Sequence, residues 1–308
     1  MASRALEAAR LRPIRQGKRR FSFEVKMMLP ALLILAAISI VPFFYLIYMT
    51  LNKISLVGGV GIAPKWIGFH NWAQMFTDSN VGAGWITMVI FFVATVGLEM
   101  LLGLGIALLV YEMVWGKNIV LSILLIPMFV APVIVGLLGR FLVNPTYGVY
   151  AWVLRETHIF TGNILGGQVS AFIAVVLMDV WEWTPLIVLI TLAGLVSVPG
   201  QVLEAAKVDG AGYWQRLRHV VVPSISGIVL VALLIRSMDA LRYFDVIWQS
   251  TAGGPANATK IIPLRLYEVA FQFLNLGYAA TIGIVMLALS IAIAMLFTGI
   301  LRRRGLIG

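Results

Sequence analysis

The chain contains no cysteine and little charge: of its 308 residues only 12% are Asp, Glu, Lys or Arg, about half the roughly 25% of an ordinary globular domain. Without cysteine it cannot be a disulfide-stapled secreted protein. Its apolar composition likewise excludes a disordered chain and a nucleic-acid-binding globular domain. Catalytic signatures are missing too. The only Gly-Lys pairs, Gly17-Lys18 and Gly116-Lys117, lack the earlier glycine and the following hydroxyl of a phosphate-binding loop. There is no His-Glu-x-x-His metal site and no Gly-x-Ser-x-Gly elbow, and His70, His158 and His219 lie in separate loops. These absences predict a chain that is not an enzyme and carries no cofactor of its own. No low-complexity tract or internal repeat stands out.

What is abundant is apolar surface: 61% hydrophobic residues and a mean hydropathy of +0.97. The net charge of +10 sits at the two ends. Residues 1–26 hold eight Lys or Arg against two acids, and Arg302, Arg303 and Arg304 add three more cations. Basic ends around apolar runs are topology signals for a membrane protein. A helix needs about 20 apolar residues to cross a bilayer, and six stretches qualify, near 27–51, 85–111, 119–143, 169–196, 224–248 and 276–301. The expected fold is therefore all-α and polytopic, with basic tails at 1–26 and 302–308 around a six-helix transmembrane domain at 27–301. The run from Met27 to Leu51 has 25 residues without a charge and ends in aromatics, so it reads as a retained helix rather than a cleaved signal. With the N-terminus inside, the inner segments hold 15 Lys and Arg and the outer ones five. That bias predicts cytoplasmic ends. In the first outer segment Trp66, Phe69, Trp72, Ala73 and Phe76 suggest a short interfacial helix, although an aromatic belt explains most of the pattern.

The segment between the fourth and fifth spans, residues 199–223, reads PGQVLEAAKVDGAGYWQRLRHVVVP. Leu203 to Val208 favours a short helix, Asp209-Gly210-Ala211-Gly212 breaks it, and Tyr213 to Val222 starts another. Trp214, Leu217 and Val221 then fall on one face, and Pro223 suits the first turn of the next span. An amphipathic hairpin resting on lipid is one reading. The residues Glu204-Ala205-Ala206, Gly210, Val220, Val222 and Pro223 also stand in the register of the EAA loop of ATP-binding-cassette importer permeases, which this segment resembles. Further stretches are similar to carbohydrate importers of the maltose and glycerol-3-phosphate type: Arg236 to Ile247, Thr251-Ala-Gly253-Gly254-Pro255, and Trp181-Glu-Trp183-Thr-Pro185. The chain lacks the extra spans and large external domain of the maltose-type permease, so it is similar to the shorter six-span members.

The resemblance implies a type I importer permease fold and an ATPase-coupling role for Glu204, Ala205, Ala206, Asp209 and Gly210. It implies these partners: a second homologous permease, two copies of a cassette ATPase carrying ATP and Mg²⁺, an external binding protein and the lipid bilayer of a bacterial inner membrane. The solute would be a sugar or sugar derivative.

Charges within spans are costly, about 2.5 to 3.5 kcal/mol each on insertion scales. Asp179 and Glu182 fall in the fourth span, and Arg236, Asp239, Arg242 and Asp245 in the fifth. At 1.5 Å per residue, Asp179 lies about 15 Å in from one side and Arg236 about 18 Å in from the other. Both reach mid-membrane, where Pro185 is expected to break the helix. The charges could simply neutralise one another, Arg236 with Asp239 and Arg242 with Asp245 at i, i+3. The family register instead implies a solute cavity lined by Asp179, Trp181, Trp183, Arg236, Asp239, Ala240 and Tyr243. Arg236 suits an anionic sugar; a neutral sugar fits equally if Asp239 already satisfies it. The place of Glu99 in the second span is left open. A proton-coupled secondary transporter using Asp179, Glu182 or Asp239 is the alternative, but it gives no reason for the ordered loop at 199–223.

Overall fold

The computed structural model describes residues 23–55, 64–303 and 305. Most of the basic tail expected over 1–26 and much of that over 302–308 lie outside the described residues. The chain divides into two compact units between Tyr48 and Met49. The first holds all but the last turn's end of α1 (Phe23–Thr50), which runs helical through Pro30 and Pro42.

The second unit opens with a two-residue ladder, β1 (Asn52–Lys53) antiparallel to β2 (Lys65–Trp66), and a short helix α2 (His70–Thr77). Of the outer aromatics, Trp72 packs half-buried on the core, but the fully buried side of that helix is made by other residues. These are Asn71 and Met75, while Trp66, Phe69 and Phe76 are exposed. The Asn71 side chain donates to the carbonyls of Thr50 and Asn52 at 2.9 and 3.2 Å, fixing α2 to the ladder.

Asp78 caps α3 (Ser79–Glu112) by accepting from the Asn80 N–H at 2.9 Å. At 34 residues α3 is about 51 Å long, well beyond the ~30 Å hydrocarbon layer. The segment expected as a straight third span at 119–143 is bent. α4 (Lys117–Leu125) leads through a 3₁₀ turn, Pro127–Phe129, into α5 (Pro132–Leu142), with 96° between the two limbs. Pro127 and Pro132 each open a new helical segment, because proline lacks the N–H needed to continue the preceding one. After α6 (Val149–Glu156) comes α7 (Gln168–Val196), unbroken across Pro185. The expected break in α7 is therefore absent. The missing bond at one residue is tolerated where neighbouring helices pack against the freed carbonyl.

Beyond the hairpin described below, α10 (Val222–Ala240) stops short of the fifth span's expected end at 248. The chain turns at Leu241–Phe244 and resumes as α11 (Asp245–Ser250), packed on α5. Gly136 permits that contact: a Cβ there would come within 2.9 Å of the Val246 carbonyl. α12 (Ile262–Tyr267) continues as a π-turn to Gln272, and α13 (Leu276–Arg303) closes the unit. Its start is tied to the ladder by the Leu276 N–H donating to Ile54 O at 2.9 Å and to α3 by the Tyr278 hydroxyl donating to Asp78 at 2.9 Å. Among the described residues five helices are long and apolar enough to cross a membrane, or six if the bent pair counts as one.

Lipid tails are as apolar as leucine, so close packing rather than water exclusion holds such helices together. α3 lies along α7 for most of its length. Gly103 makes this possible, since a Cβ there would fall 2.6 Å from Cβ and Cγ2 of Ile187. Below it Ala107, Val110, Val188, Leu192 and Leu195 form a buried cluster. Gly103→Ala should therefore destabilise the protein by about 1–3 kcal/mol through overpacking. Gly97→Ala, on the same helix with nothing within 4 Å, should not. Thermal unfolding of the two variants in detergent checks this; equal melting would refute the contact.

Candidate solute site and coupling loop

Arg236, on α10, has no exposed surface. Its Nε donates to Glu99 Oε2 at 2.5 Å and its Nη2 to Glu99 Oε1 at 2.9 Å, a two-pronged clamp. The same Nη2 donates to Asp179 Oδ2 at 2.5 Å, and Nη1 to Asp239 Oδ2 at 3.1 Å. Glu99 belongs to α3, Asp179 to α7 and Asp239 to α10. One guanidinium thus joins three membrane helices. The planar fork of arginine, with its five donors, is the side chain that can hold several carboxylates at once. The indole of Trp183 covers it at 5.5 Å. Alongside, the Tyr243 hydroxyl donates to buried Glu182 at 3.4 Å, and Tyr243 stacks on Phe91 at 5.4 Å. Glu99, Asp179 and Glu182 are as buried as Arg236, whereas the Asp239 side chain is 42% exposed.

Of the residues expected in the cavity, Asp179, Trp183, Arg236, Asp239 and Tyr243 come together here, and Ala240 is buried at the end of the same helix. Trp181 stands apart, with its side chain 49% exposed. Two positions from both Asp179 and Trp183, it falls about 200° round the helix from each. Arg242 and Asp245 lie past the end of α10, and among the described residues no ion pair joins them. Glu99 is the residue sequence reasoning left undecided. Its signal was a carboxylate in the middle of an apolar helix whose only other charge is its last residue, Glu112, but its partner lies 137 residues away. A cavity of about 540 Å³ lies elsewhere, between Arg140, Asn144, Asn163, Ser250 and Thr251.

The segment 199–223 forms a helical hairpin. α8 (Gly200–Val208) ends at Asp209, and Gly210 takes a φ of +79°, a left-handed conformation suited to glycine. The second limb is α9 (Tyr213–Arg216), whose start is capped by Gln215 Oε1 accepting from the Gly212 N–H at 2.8 Å. It runs through a π-turn, Leu217–Val221, directly into α10. Arg216 donates to Ala211 O at 2.7 Å and braces the bend. Leu203 and Val221 pack on the Val198, Leu195 and Ile225 cluster. Glu204, Ala205, Asp209 and Gly210 are exposed and Ala206 half-buried. A hollow of about 450 Å³ opens beside Asp209, Gly210, Gln215 and His219.

Long apolar helices locked by a buried ion cluster, with a hairpin of small residues at one end, define an integral membrane transport subunit. The chain belongs to the family of binding-protein-dependent transport system inner membrane components, whose profile matches residues 99–305. It is 34% identical over 284 residues to the trehalose/maltose transport system permease protein MalF of Thermococcus litoralis, covering 90% of this chain and 93% of that one. It is 32% identical to the sulfoquinovosyl glycerol permease SmoG of Agrobacterium fabrum, covering 91% and 90%. To the sn-glycerol-3-phosphate permease UgpA of Rhizobium meliloti it is 30% identical, covering 76% and 80%. In fold it is similar to a chain of a bacterial ABC transporter that imports the acidic polysaccharide alginate, with a TM-score of 0.79 over 90% of this chain and 94% of that one, at 21% identity. The protein is thus an ABC importer permease of the multi-pass inner-membrane type.

Removing one partner of a buried ion set costs about 3–5 kcal/mol, whereas replacing the whole set with apolar groups is often neutral. Arg236→Ala should therefore sharply reduce the folded, monodisperse yield of tagged protein on fluorescence-detected size exclusion. The triple variant E99L/D179L/R236M should recover most of it. A triple variant as unstable as the single one would show that the ion cluster is not the reason.

Proposed function

We propose that this chain is one half of the transmembrane pathway of an ATP-driven, binding-protein-dependent importer for a sugar or sugar derivative. A second, homologous permease supplies the other half. Two copies of a cassette ATPase, which bind ATP and Mg²⁺, dock on the hairpin through Glu204, Ala205, Ala206, Asp209 and Gly210, and an external binding protein delivers the solute. Both chain ends face the cytoplasm, in keeping with the inside excess of Lys and Arg. The solute site on this chain centres on the exposed carboxylate of Asp239, with Asp179, Trp183 and Tyr243 packed beside it, Arg236 holding the carboxylates in place, Ala240 in the adjoining wall and Trp181 on the exposed face of α7. Indole faces suit sugar C–H groups, and carboxylates suit hydroxyls. Relatives named for trehalose and maltose and for sn-glycerol-3-phosphate support a carbohydrate-type cargo.

One observation carries this reading. The second limb of the hairpin runs without a break into α10, and the first follows α7 after a three-residue link at 197–199; α7 and α10 are the helices joined by Arg236 and Asp179. From Asp179 to the end of α7 is about 25 Å, and from the start of α10 to Arg236 about 21 Å, at 1.5 Å per residue. Both helices are rigid at that length, so a hairpin displaced by closure of the ATPases must shift the ion cluster. Small residues at 205 and 206 allow close docking, and the reverse turn at Gly210 holds the two limbs in register.

Proline at 210 cannot take a φ of +79°, its ring fixing φ near −65°. Gly210→Pro should leave the chain in the membrane, remove the ATPase from the co-purified complex and cut ATP-dependent uptake by at least about tenfold, the equivalent of ~1.4 kcal/mol of docking. Wild-type uptake should persist when an uncoupler collapses the proton gradient. Recovery of the chain without any ATPase, together with uptake that follows the proton gradient, would replace this reading with a proton-coupled transporter.

A further inference from the structure

The importer reading leaves the charge of the solute open, and the cluster around Arg236 bears on it. Arginine in a membrane-buried site is ordinarily the feature that recommends an anionic ligand. Here its fork is already occupied. Four donor contacts reach three carboxylates, those of Glu99, Asp179 and Asp239, and the guanidinium has no exposed surface from which to reach a solute. Its upper face is covered by Trp183. A fourth carboxylate, Glu182, is buried against Tyr243 with no cation bonded to it.

Counted formally, the three acids on Arg236 outnumber it by two charges. Whatever protonation the surplus acids adopt, the cluster has no cation to spare. The nearest other arginine along the chain, Arg242, lies beyond the end of α10 and turns its Nε to Met238 O at 3.3 Å. The charged group of the cluster that meets its surroundings is an acid, Asp239, 42% exposed.

The hydrogen-bonding capacity of that exposed acid points the same way. Asp239 Oδ2 accepts from Arg236 at 3.1 Å, and a carboxylate has further acceptor sites. A solute hydroxyl can donate to them. An ionised carboxylate, phosphate or sulfonate oxygen can only accept, and would meet Asp239 lone pair to lone pair.

We infer that the half-site carried by this chain takes an uncharged, polyhydroxylated solute, with Asp239 the specificity-determining group that turns anionic sugars away. Arg236 is then a strut that positions Asp239 and Asp179, and not a ligand for solute charge. The inference rests on the importer reading above and goes further by naming the solute's charge class.

The test uses the complete importer: this permease, its partner permease and the ATPase, purified together. Without binding protein, so that its selectivity does not intervene, equilibrium dialysis would compare uncharged disaccharides (maltose, trehalose, cellobiose) with hexuronate-containing disaccharides and sugar phosphates. Like charges brought together at an interface cost several kcal/mol, so an uncharged disaccharide should bind at least about tenfold more tightly than its anionic counterpart. Asp239→Asn, which keeps the acceptor for Arg236 but removes the charge, should narrow that gap by about tenfold. Anionic sugars bound as well as or better than neutral ones by the wild type would overturn the inference and leave the importer reading standing; this arm needs no variant to fold. A gap unchanged in Asp239→Asn would remove Asp239 from the role. An assembled complex with an active ATPase that binds and moves no saccharide of either kind would overturn the importer-of-sugars reading, and this inference with it.

Discussion

A single guanidinium, buried where water cannot reach it, constrains the rest of the molecule. Arg236 in a low-dielectric interior is tenable only if carboxylates from its surroundings close on it with good geometry. Those carboxylates come from α3, α7 and α10. The three helices must therefore meet at one depth, with Glu99, Asp179 and Arg236 facing inward. Everything else in the second unit either permits that meeting or transmits its position.

Small residues permit it. Gly103 lets Ile187 sit against the α3 backbone, and Gly136 lets α11 lie across α5. In each case a methyl group would push apart helices that have no hydrophobic force to draw them back. Proline divides the chain where straight spans would not fit, at Pro127 and Pro132 in the bent pair. Pro185 does not divide α7. The unbroken helix therefore runs as one rod from the ion cluster to the hairpin, and α10 does the same on the returning limb. Under the proposed importer function, such rods would carry a displacement of the hairpin to the ion cluster.

The hairpin was legible from sequence because its determinants are local. Helix propensity, a glycine turn and a proline at the start of the next helix all act within a few residues. The ion cluster was partly legible. Asp179, Arg236 and Asp239 announced themselves as charges in apolar runs, and the i, i+3 spacing of Arg236 and Asp239 was enough to pair them. Trp181 was grouped with its neighbours by motif register, which does not say which side of a helix a residue occupies; a two-residue offset places it on the exposed face of α7, opposite the ion cluster. The expected Arg242–Asp245 pair presumed a helix that in fact stops at Ala240.

The sequence alone determined that this is a polytopic helical protein, where its apolar helices and its hairpin lie, and that buried charge had to be compensated, because hydropathy, helix period and turn chemistry are read over short windows. Tertiary structure alone decided how the compensation was made. It brought Glu99 to Arg236 across 137 residues, occupied the guanidinium with three acids, and left Asp239 as the partly exposed charge. Pairing of that kind depends on which helices pack together and on their rotation about their own axes, and both are set by packing between segments far apart in the chain.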